Sequence, residues 1–157
     1  MDKLARIIVV DDDESIRKVL ATILEEKGYT VDTAENGKQA IEKTEKNFYN
    51  LGLFDIRLPD IEGTELLAKV KDTTPRMRKI IVTGYPSLPN AVEALNKGAD
   101  AYILKPFDMD KILQTIKEQL KNQEEEKKYG QEKVTEFIET RVKELEEEKP
   151  TTHKTQR

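Results

Sequence analysis

The sequence predicts an α/β protein in which a parallel sheet carries helices on both faces. Short runs of apolar or β-branched residues recur through residues 1–120, and an amphipathic segment follows each run. Runs of this length and composition are typical of strands that are buried on both sides of a sheet. Because parallel strands need crossover connections, the alternation of five runs with helical segments indicates a doubly wound sheet.

The predicted strands are short, and they share a high content of valine, isoleucine, leucine and threonine. They occupy residues 5–10, 30–34, 51–54, 79–83 and 101–104. Gly52 lies inside the third strand and has no side chain to pack. We therefore expect weaker packing at that position.

Each predicted helix carries apolar residues at the three- and four-residue spacing that places them on one face. In the first helix this face consists of Ile16, Val19, Leu20, Ile23 and Leu24. Gly28 and Gly98 follow the first and fourth helices, where a residue of left-handed conformation commonly ends a helix. Asp108 precedes the fifth helix and is its predicted N-cap, because the carboxylate can accept a hydrogen bond from the first turn.

The composition changes after residue 120 and divides the chain into a domain and an extension. Residues 1–120 form the predicted domain, 121–149 a charged helical extension, and 150–157 a disordered tail. We expect Gly130 to interrupt the fifth helix, so that a sixth helix covers residues 131–148. Its apolar stripe consists of Val134, Phe137, Ile138, Val142 and Leu145. The stripe fits equally a contact with the domain, with the same helix of a second chain, or with another partner.

Composition and charge exclude several classes of function. The chain has 157 residues, a formal net charge of −4 and a pI near 5.3, so nothing attracts it to nucleic acid or anionic lipid. The absence of cysteine excludes disulfides, thiolate metal sites and a cysteine nucleophile. Because no apolar run approaches the roughly 20 residues of a membrane helix, and no signal peptide is recognisable, we expect a cytoplasmic protein.

Polar side chains follow four of the five predicted strands at the point where each strand ends. Three adjacent aspartates, 11–13, follow the first strand, and Asp55 follows the third. Thr83 ends the fourth strand, and Lys105 follows the fifth. Ligands of open parallel sheets bind beyond the carboxyl ends of the strands. If these four strands are neighbours, the side chains converge on one pocket.

The chemistry of these side chains predicts a magnesium-dependent phosphoryl-transfer site. Mg²⁺ prefers oxygen ligands, and a bound cation would offset the repulsion among adjacent aspartates. A carboxylate can attack phosphorus, while the metal neutralises charge on the transferring group. Lys105 would supply a second cation, and the Thr83 hydroxyl would donate a hydrogen bond to the phosphoryl oxygens.

Four segments of the chain are similar, in order and spacing, to those of a known family. The segments "VVDDDESIR", "LFDIRLPDIEG", "IIVTGYPS" and "AYILKPF" resemble the receiver domain of two-component response regulators, and the resemblance covers residues 3–120. It implies a flavodoxin-like fold with five parallel strands in the order 2-1-3-4-5. The tail and the charged surface are similar to those of stand-alone archaeal receivers.

The resemblance also implies the roles of the acidic residues. Asp55 would accept a phosphoryl group from a sensor histidine kinase. Asp12, Asp55 and the backbone carbonyl of Arg57 would ligate Mg²⁺ directly, and Asp11 would act through water. Asp13 is then a neighbour of the site or a helix cap.

The resemblance assigns the remaining site residues to phosphate binding and to the switch. Lys105 would be the phosphate-binding cation, in a Lys105–Pro106 peptide that is commonly cis in such domains. Thr83 would be the switch hydroxyl, and Tyr102 the switch aromatic that turns inward once Thr83 moves.

We interpret the chain as a response regulator whose phosphorylation changes binding to a downstream protein or drives homodimerisation. The surface that changes would be the face formed by the fourth helix, the fifth strand and the fifth helix. Because the expected role of the chain is signalling, we do not expect it to be an enzyme. A phosphorelay intermediate, a phosphate sink, and the receiver fragment of a larger transcription regulator stay open as alternatives.

Two further classes of function are disfavoured by particular residues. A magnesium-dependent phosphohydrolase would need a second general acid two residues after Asp55, where Arg57 stands. An interaction module that no longer accepts phosphate would have no need to retain Asp12, Asp55, Thr83 and Lys105 together.

Overall fold

Five parallel strands form the sheet at the centre of the molecule. The computed structural model describes residues 4–84 and 87–155, apart from the side chains of 88 and 148–155. The strands are β1 (Arg6–Val10), β2 (Thr30–Ala34), β3 (Leu51–Phe54), β4 (Arg78–Thr83) and β5 (Ala101–Leu104). They lie in the order β2-β1-β3-β4-β5, which confirms the predicted topology. The first and fourth strands each differ from prediction by one residue at their start.

A helix follows each strand, as the alternating pattern predicted. They are α1 (Glu14–Glu26), α2 (Gly37–Lys46), α3 (Gly63–Lys69), α4 (Leu88–Asn96) and α5 (Met109–Thr155). Gly28 and Gly98 have φ angles of +98° and +105°, so both predicted helix-terminating glycines are confirmed. The carboxylate of Asp108 accepts a hydrogen bond from the backbone N–H of Asp110 at 2.9 Å, at the predicted cap of α5.

Two apolar cores lie on opposite faces of the sheet. Alternate residues of β1 point to opposite faces: Ile7 and Val9 belong to one core and Ile8 and Val10 to the other. The first core includes Leu20, Leu24, Ile112 and Ile116 from α1 and α5, and the second includes Ala40, Leu66, Leu67 and Ala94 from α2, α3 and α4. Because both faces are covered, the central strands β1, β3 and β4 are buried almost throughout, as their composition predicted. The edge strands β2 and β5 are mostly half-buried.

The prediction that Gly52 weakens the packing of β3 is wrong. Gly52 is followed two residues later by Phe54, whose side chain lies on the same face of the strand. A Cβ atom at position 52 would lie 2.4 Å from Cε2 of Phe54. The missing side chain therefore makes room for a fully buried aromatic ring.

The chain divides into two compact units, Met1–Gln123 and Glu124–Arg157, close to the predicted end of the domain. The prediction of a separate sixth helix is wrong, because α5 continues without interruption through Gly130 to Thr155. A glycine inside a helix costs only about 1 kcal/mol relative to alanine, and its neighbours here are strong helix formers. The predicted disordered tail is helical up to residue 155, and 156–157 lie outside the described residues.

Within the part of the chain that the structure describes, no helix is long and apolar enough to cross a membrane.

Candidate functional site

The sheet order brings four strand ends together. Because β1, β3, β4 and β5 are consecutive in space, the residues that follow them meet at one edge of the sheet. Asp11 and Asp55 are almost fully buried at this edge, and Thr83 is fully buried. Of the predicted set, Asp11, Asp55 and Lys105 converge, because Nζ of Lys105 contacts both carboxylates.

Asp11, Asp12 and Asp55 form a compact cluster of carboxylates. One oxygen atom from each of them lies within 4.8 Å of the others. Asp12 is exposed, whereas only 3% of Asp11 and 5% of Asp55 is accessible. Three carboxylates that converge from the ends of two adjacent strands are a donor set of the type that binds a hard divalent cation. The cluster can therefore hold a metal ion at the mouth of the pocket.

Asp13 caps helix α1 and does not join the carboxylate cluster. Its side chain accepts a hydrogen bond from the backbone N–H of Ile16 at 3.2 Å. Its own N–H donates to Oδ1 of Asp11 at 2.9 Å. The sequence left Asp13 as a neighbour or a cap, and the structure identifies it as the cap.

Lys105 links the two buried carboxylates. Its Nζ atom donates to Oδ2 of Asp11 at 2.7 Å and to Oδ2 of Asp55 at 3.2 Å. Burial alone would lower the pKa of Lys105, but the hydrogen bond and the charge of Asp11, together with Asp55, raise it above the ordinary value. The ammonium group is therefore charged at neutral pH. The Lys105–Pro106 peptide is cis, as expected.

Asp55 is held in an environment that disfavours its charged form. Burial raises the pKa of its carboxyl group, and the negative charge of Asp11 raises it further. Lys105 and the N–H of Arg57, which donates to Oδ1 at 3.2 Å, partly offset that rise. An added cation would favour the ionised carboxylate, which is the nucleophilic form.

The backbones of Thr83 and Arg57 lie next to Lys105 and Asp55, respectively. Thr83 ends β4, and its backbone carbonyl accepts a hydrogen bond from the N–H of Lys105 at 2.7 Å. Arg57 forms an isolated antiparallel bridge with Glu62, which fixes the loop after β3. The backbones of both residues are thus fixed next to Lys105 and Asp55.

Tyr102 lies on β5 beside a groove of about 720 Å³. The ring packs against the core, its hydroxyl is shielded from solvent, and burial raises the pKa of that hydroxyl. Ser87 and Ala91 of the α4 region, Leu104 of β5, and Phe107 and Lys111 of the α5 region also line the groove. Leu95 and Leu104 are exposed apolar residues of α4 and β5. The movement of Tyr102 stays a prediction.

Gly63 supports the site and was not recognised from the sequence. A Cβ atom at this position would lie 2.2 Å from the backbone oxygen of Asp55. Its N–H donates to the carbonyl of Ile56 at 2.7 Å. Only glycine allows α3 to begin so close to Asp55. In the sequence, the position of Gly63 at the end of "LFDIRLPDIEG" was the signal that could have identified it.

Asp60 ties the loop after β3 to another helix and was also missed. Its carboxylate accepts hydrogen bonds from the N–H groups of Gly37 and Lys38 at 2.8 and 2.9 Å. Because these N–H groups begin α2, an anionic acceptor is favourable there. The hydrogen bond from Gly37 lowers the pKa of Asp60 below its ordinary value.

Comparison with known proteins finds one family. The model described as "Response regulator receiver domain" matches residues 7–117. The transcriptional regulatory protein ZraR of Klebsiella oxytoca is 43% identical over 114 residues, which are 73% of this chain and 26% of that protein. The uncharacterized transcriptional regulatory protein YkoG of Bacillus subtilis is 34% identical over 73% of this chain and 50% of its own length. The chain spans between a quarter and a half of these relatives.

Several solved structures are similar to this chain in both fold and sequence, and two of them contain beryllofluoride. A CheY-like receiver domain protein from Methanospirillum hungatei is 52% identical, with a TM-score of 0.75 over 78% of this chain and 98% of its own. TrrA from Thermotoga maritima, in complex with Mg²⁺ and beryllofluoride, is 34% identical, with a TM-score of 0.66 over 74% and 99% of the two chains. The beryllofluoride-activated NtrC4 receiver domain dimer is 37% identical, with a TM-score of 0.71 over 76% and 99%. With its sheet order, its carboxylate cluster and the family match, the chain belongs to the receiver domains of response regulators.

Proposed function

We propose that Asp55 accepts a phosphoryl group from a sensor histidine kinase in a reaction that depends on Mg²⁺. The observation that carries this proposal is the contact of one lysine, Lys105, with both Asp11 and Asp55 beside the exposed carboxylate of Asp12. This arrangement combines a nucleophile, an acidic cluster and a fixed cation at one sheet edge, which are the components of phosphoryl transfer. The activity belongs to signalling, so we do not class the chain as an enzyme.

The residues that would hold Mg²⁺ are Asp11, Asp12, Asp55 and the backbone carbonyl of Arg57. The carboxylate cluster supports this assignment, and TrrA was crystallised with Mg²⁺ and beryllofluoride. When bound, the ion would neutralise charge on the phosphoryl oxygens and on the carboxylates.

The transfer step requires an ionised Asp55. Its carboxylate oxygen attacks phosphorus, the bond between phosphorus and the imidazole nitrogen of the kinase breaks, and the imidazole leaves. Lys105, which contacts Asp55 at 3.2 Å, can move its hydrogen bond to a phosphoryl oxygen. No group other than the kinase histidine and Asp55 changes its covalent bonds.

The added charge would reach a partner-binding surface through Thr83 and Tyr102. Thr83 is fully buried at the end of β4, so a small movement of its hydroxyl toward the phosphoryl group displaces packed neighbours. The groove beside Tyr102 and the exposed Leu95 and Leu104 then change their affinity for a downstream protein or a second copy. The chain would work in the cytoplasm, without direct contact with nucleic acid or membrane.

The shortness of the chain relative to ZraR favours one alternative. Since this chain spans only 26% of that transcriptional regulatory protein, it also fits the receiver portion of a longer regulator.

A phosphorelay intermediate would differ from a switch in the fate of the phosphoryl group. It would pass the phosphoryl group from Asp55 to the histidine of a phosphotransfer protein, whereas a switch would retain it until hydrolysis.

The proposal is tested by the mass gained on incubation with Mg²⁺ and a small acyl phosphate. We expect one phosphoryl group on the wild type and none on Asp55→Asn, with strong loss in Asp12→Asn. Asp13→Asn is the matched control because asparagine also caps helices well, and it should be labelled like the wild type. Labelling of Asp55→Asn, or equal losses in Asp12→Asn and Asp13→Asn, would contradict the assigned roles.

The output mode is tested by molar mass from light scattering, with and without Mg²⁺ and beryllofluoride. A monomer that becomes a dimer would mean that phosphorylation drives self-association. A dimer in both states would indicate a constitutive interface, for which the exposed stripe of the extension is the candidate. A monomer in both states would mean that the output is a different protein.

A further inference from the structure

Arg17 contacts the backbone of the acidic cluster and has no role in the mechanism above. Its Nη1 atom donates to the main-chain carbonyl oxygen of Asp11 at 2.8 Å. Its Nη2 atom lies 3.8 Å from Oε2 of Glu35. Only 15% of the arginine side chain is exposed, so the guanidinium group is confined between the first turn of α1 and the loop after β2.

These contacts close a ring around the backbone of Asp11. The N–H of Asp11 donates to the carbonyl of Ala34 at 3.1 Å, and Glu35 is the next residue. Arg17 joins the carbonyl of Asp11 to the side chain of Glu35. Both polar groups of the Asp11 backbone are therefore bound to the end of β2, one directly and one through Arg17.

The orientation of Asp12 depends on this ring. The carbonyl of Asp11 and the N–H of Asp12 belong to one planar peptide group, so an arginine that fixes the carbonyl also fixes where Asp12 begins. The Asp11 carboxylate has partners of its own, the N–H of Asp13 and the ammonium of Lys105. Within residues 4–84 and 87–155, no hydrogen bond holds the exposed Asp12 carboxylate, so the constraint on its position comes from the backbone, which fixes where its Cα–Cβ bond points.

We infer that Arg17 is a positioning residue of the metal site. It holds the peptide between Asp11 and Asp12 so that both carboxylates face Asp55. The inference rests on the proposed binding of Mg²⁺ to these carboxylates. A group that orients a ligand without touching the metal typically changes metal affinity 10- to 100-fold when it is removed.

The sign of the effect separates positioning from simple electrostatics. Arg17 is a cation beside a cation site, so its charge alone repels Mg²⁺. If charge were its only influence, replacing Arg17 with a neutral residue would strengthen Mg²⁺ binding. If Arg17 orients the ligands, the same replacement weakens binding.

The test is the dissociation constant of Mg²⁺ by titration calorimetry, together with the melting temperature of the metal-free protein. Arg17→Met keeps the length of the side chain and removes its donors, and we expect binding about 10-fold weaker. Lys18→Met is the matched control, since Lys18 is exposed on the same helix and pairs with Glu14 at 3.0 Å. It should bind Mg²⁺ within about 2-fold of the wild type. Arg17→Lys retains the charge and one donor, so its affinity should lie between those of the wild type and Arg17→Met.

Each outcome decides the inference. Binding by Arg17→Met as tight as that by Lys18→Met would overturn it while leaving the proposed function intact, even if the melting temperature fell. A wild type that does not bind Mg²⁺ would overturn the proposed function and this inference with it. If Arg17→Met is unfolded by circular dichroism, Arg17→Lys decides: weaker binding than wild type supports positioning, and equal binding overturns it.

Discussion

Helix α5 contains two apolar stripes that have opposite environments. In the domain, Ile112 and Ile116 are fully buried in the core that α1 and α5 share with the sheet. In the extension, the exposed fractions of Val134, Phe137, Ile138, Val142 and Leu145 lie between 49% and 71%. The same three- and four-residue spacing thus produces a core in one segment and an apolar surface in the other. Spacing predicts a helix, whereas burial depends on what the rest of the chain places opposite it.

The largest expected effect comes from truncating one isoleucine in each of the two segments. We expect Ile116→Ala to lower the free energy of unfolding by about 2–5 kcal/mol, because it leaves a cavity in the core. Ile138→Ala is the matched control in the extension and should change it by less than about 0.5 kcal/mol. Urea denaturation followed by circular dichroism gives both values. An equal cost for the two variants would mean that the extension stripe is covered in solution.

The next test compares a partly buried ion pair with an exposed one. Asp100, with 12% of its side chain exposed, accepts hydrogen bonds from Arg76 at 2.7 Å and from the N–H of Lys79 at 2.9 Å. We expect Asp100→Asn to cost about 1.5–3 kcal/mol of unfolding free energy. Glu144→Gln removes an exposed pair with Arg141 in the extension, and should cost less than about 1 kcal/mol.

The pH dependence of the unfolding free energy tests the Asp100 interaction in a second way. Burial would raise the pKa of Asp100, but the hydrogen bonds from Arg76 and Lys79 lower it below the ordinary 3.8. The stabilisation is therefore present above pH 3.8 and is lost as the pH falls through the lower folded-state pKa. The difference in stability between wild type and Asp100→Asn should shrink on acidification below that value. A difference that is constant with pH would contradict the assigned charge interaction.

The smallest expected effect on stability comes from replacing Gly130. Nothing lies within 4 Å of a Cβ atom at this position, so no contact requires a glycine there. We expect Gly130→Ala to raise the stability of the extension helix by up to about 1 kcal/mol. The measurement is the helical ellipticity of the full chain during thermal unfolding. A loss of helicity would indicate that the helix is interrupted at Gly130, as the sequence alone suggested.

The sheet and the main site residues could be predicted because each carries a local signal. Buried parallel strands read as apolar runs, and the residue after each run lies at the same sheet edge as the others. Asp55 and Lys105 were found in this way, although they are 50 residues apart. Asp13 was left undecided because a sequence of three aspartates does not say which one turns away to cap the helix.

The remaining features depend on contacts between distant residues. Gly52 was misjudged because the ring of Phe54 fills the space that its side chain leaves. Asp60 and Arg17 look like ordinary charged surface residues, and only the fold shows that one binds the start of α2 and the other the backbone of Asp11. The extension was misjudged for a different reason, since one glycine is too weak a signal to end a helix.

In the proposed switch, a charge placed at Asp55 changes the face formed by α4, β5 and α5. The most direct measurement is the set of backbone amide NMR shifts with Mg²⁺ alone and after beryllofluoride is added. We predict that beryllofluoride shifts the amides of Thr83, Tyr102 and Leu104 and the residues around the groove, and that Asp55→Asn abolishes these changes. Shifts confined to the carboxylate cluster, or equal shifts in Asp55→Asn, would contradict a switch that runs from Asp55 to this face.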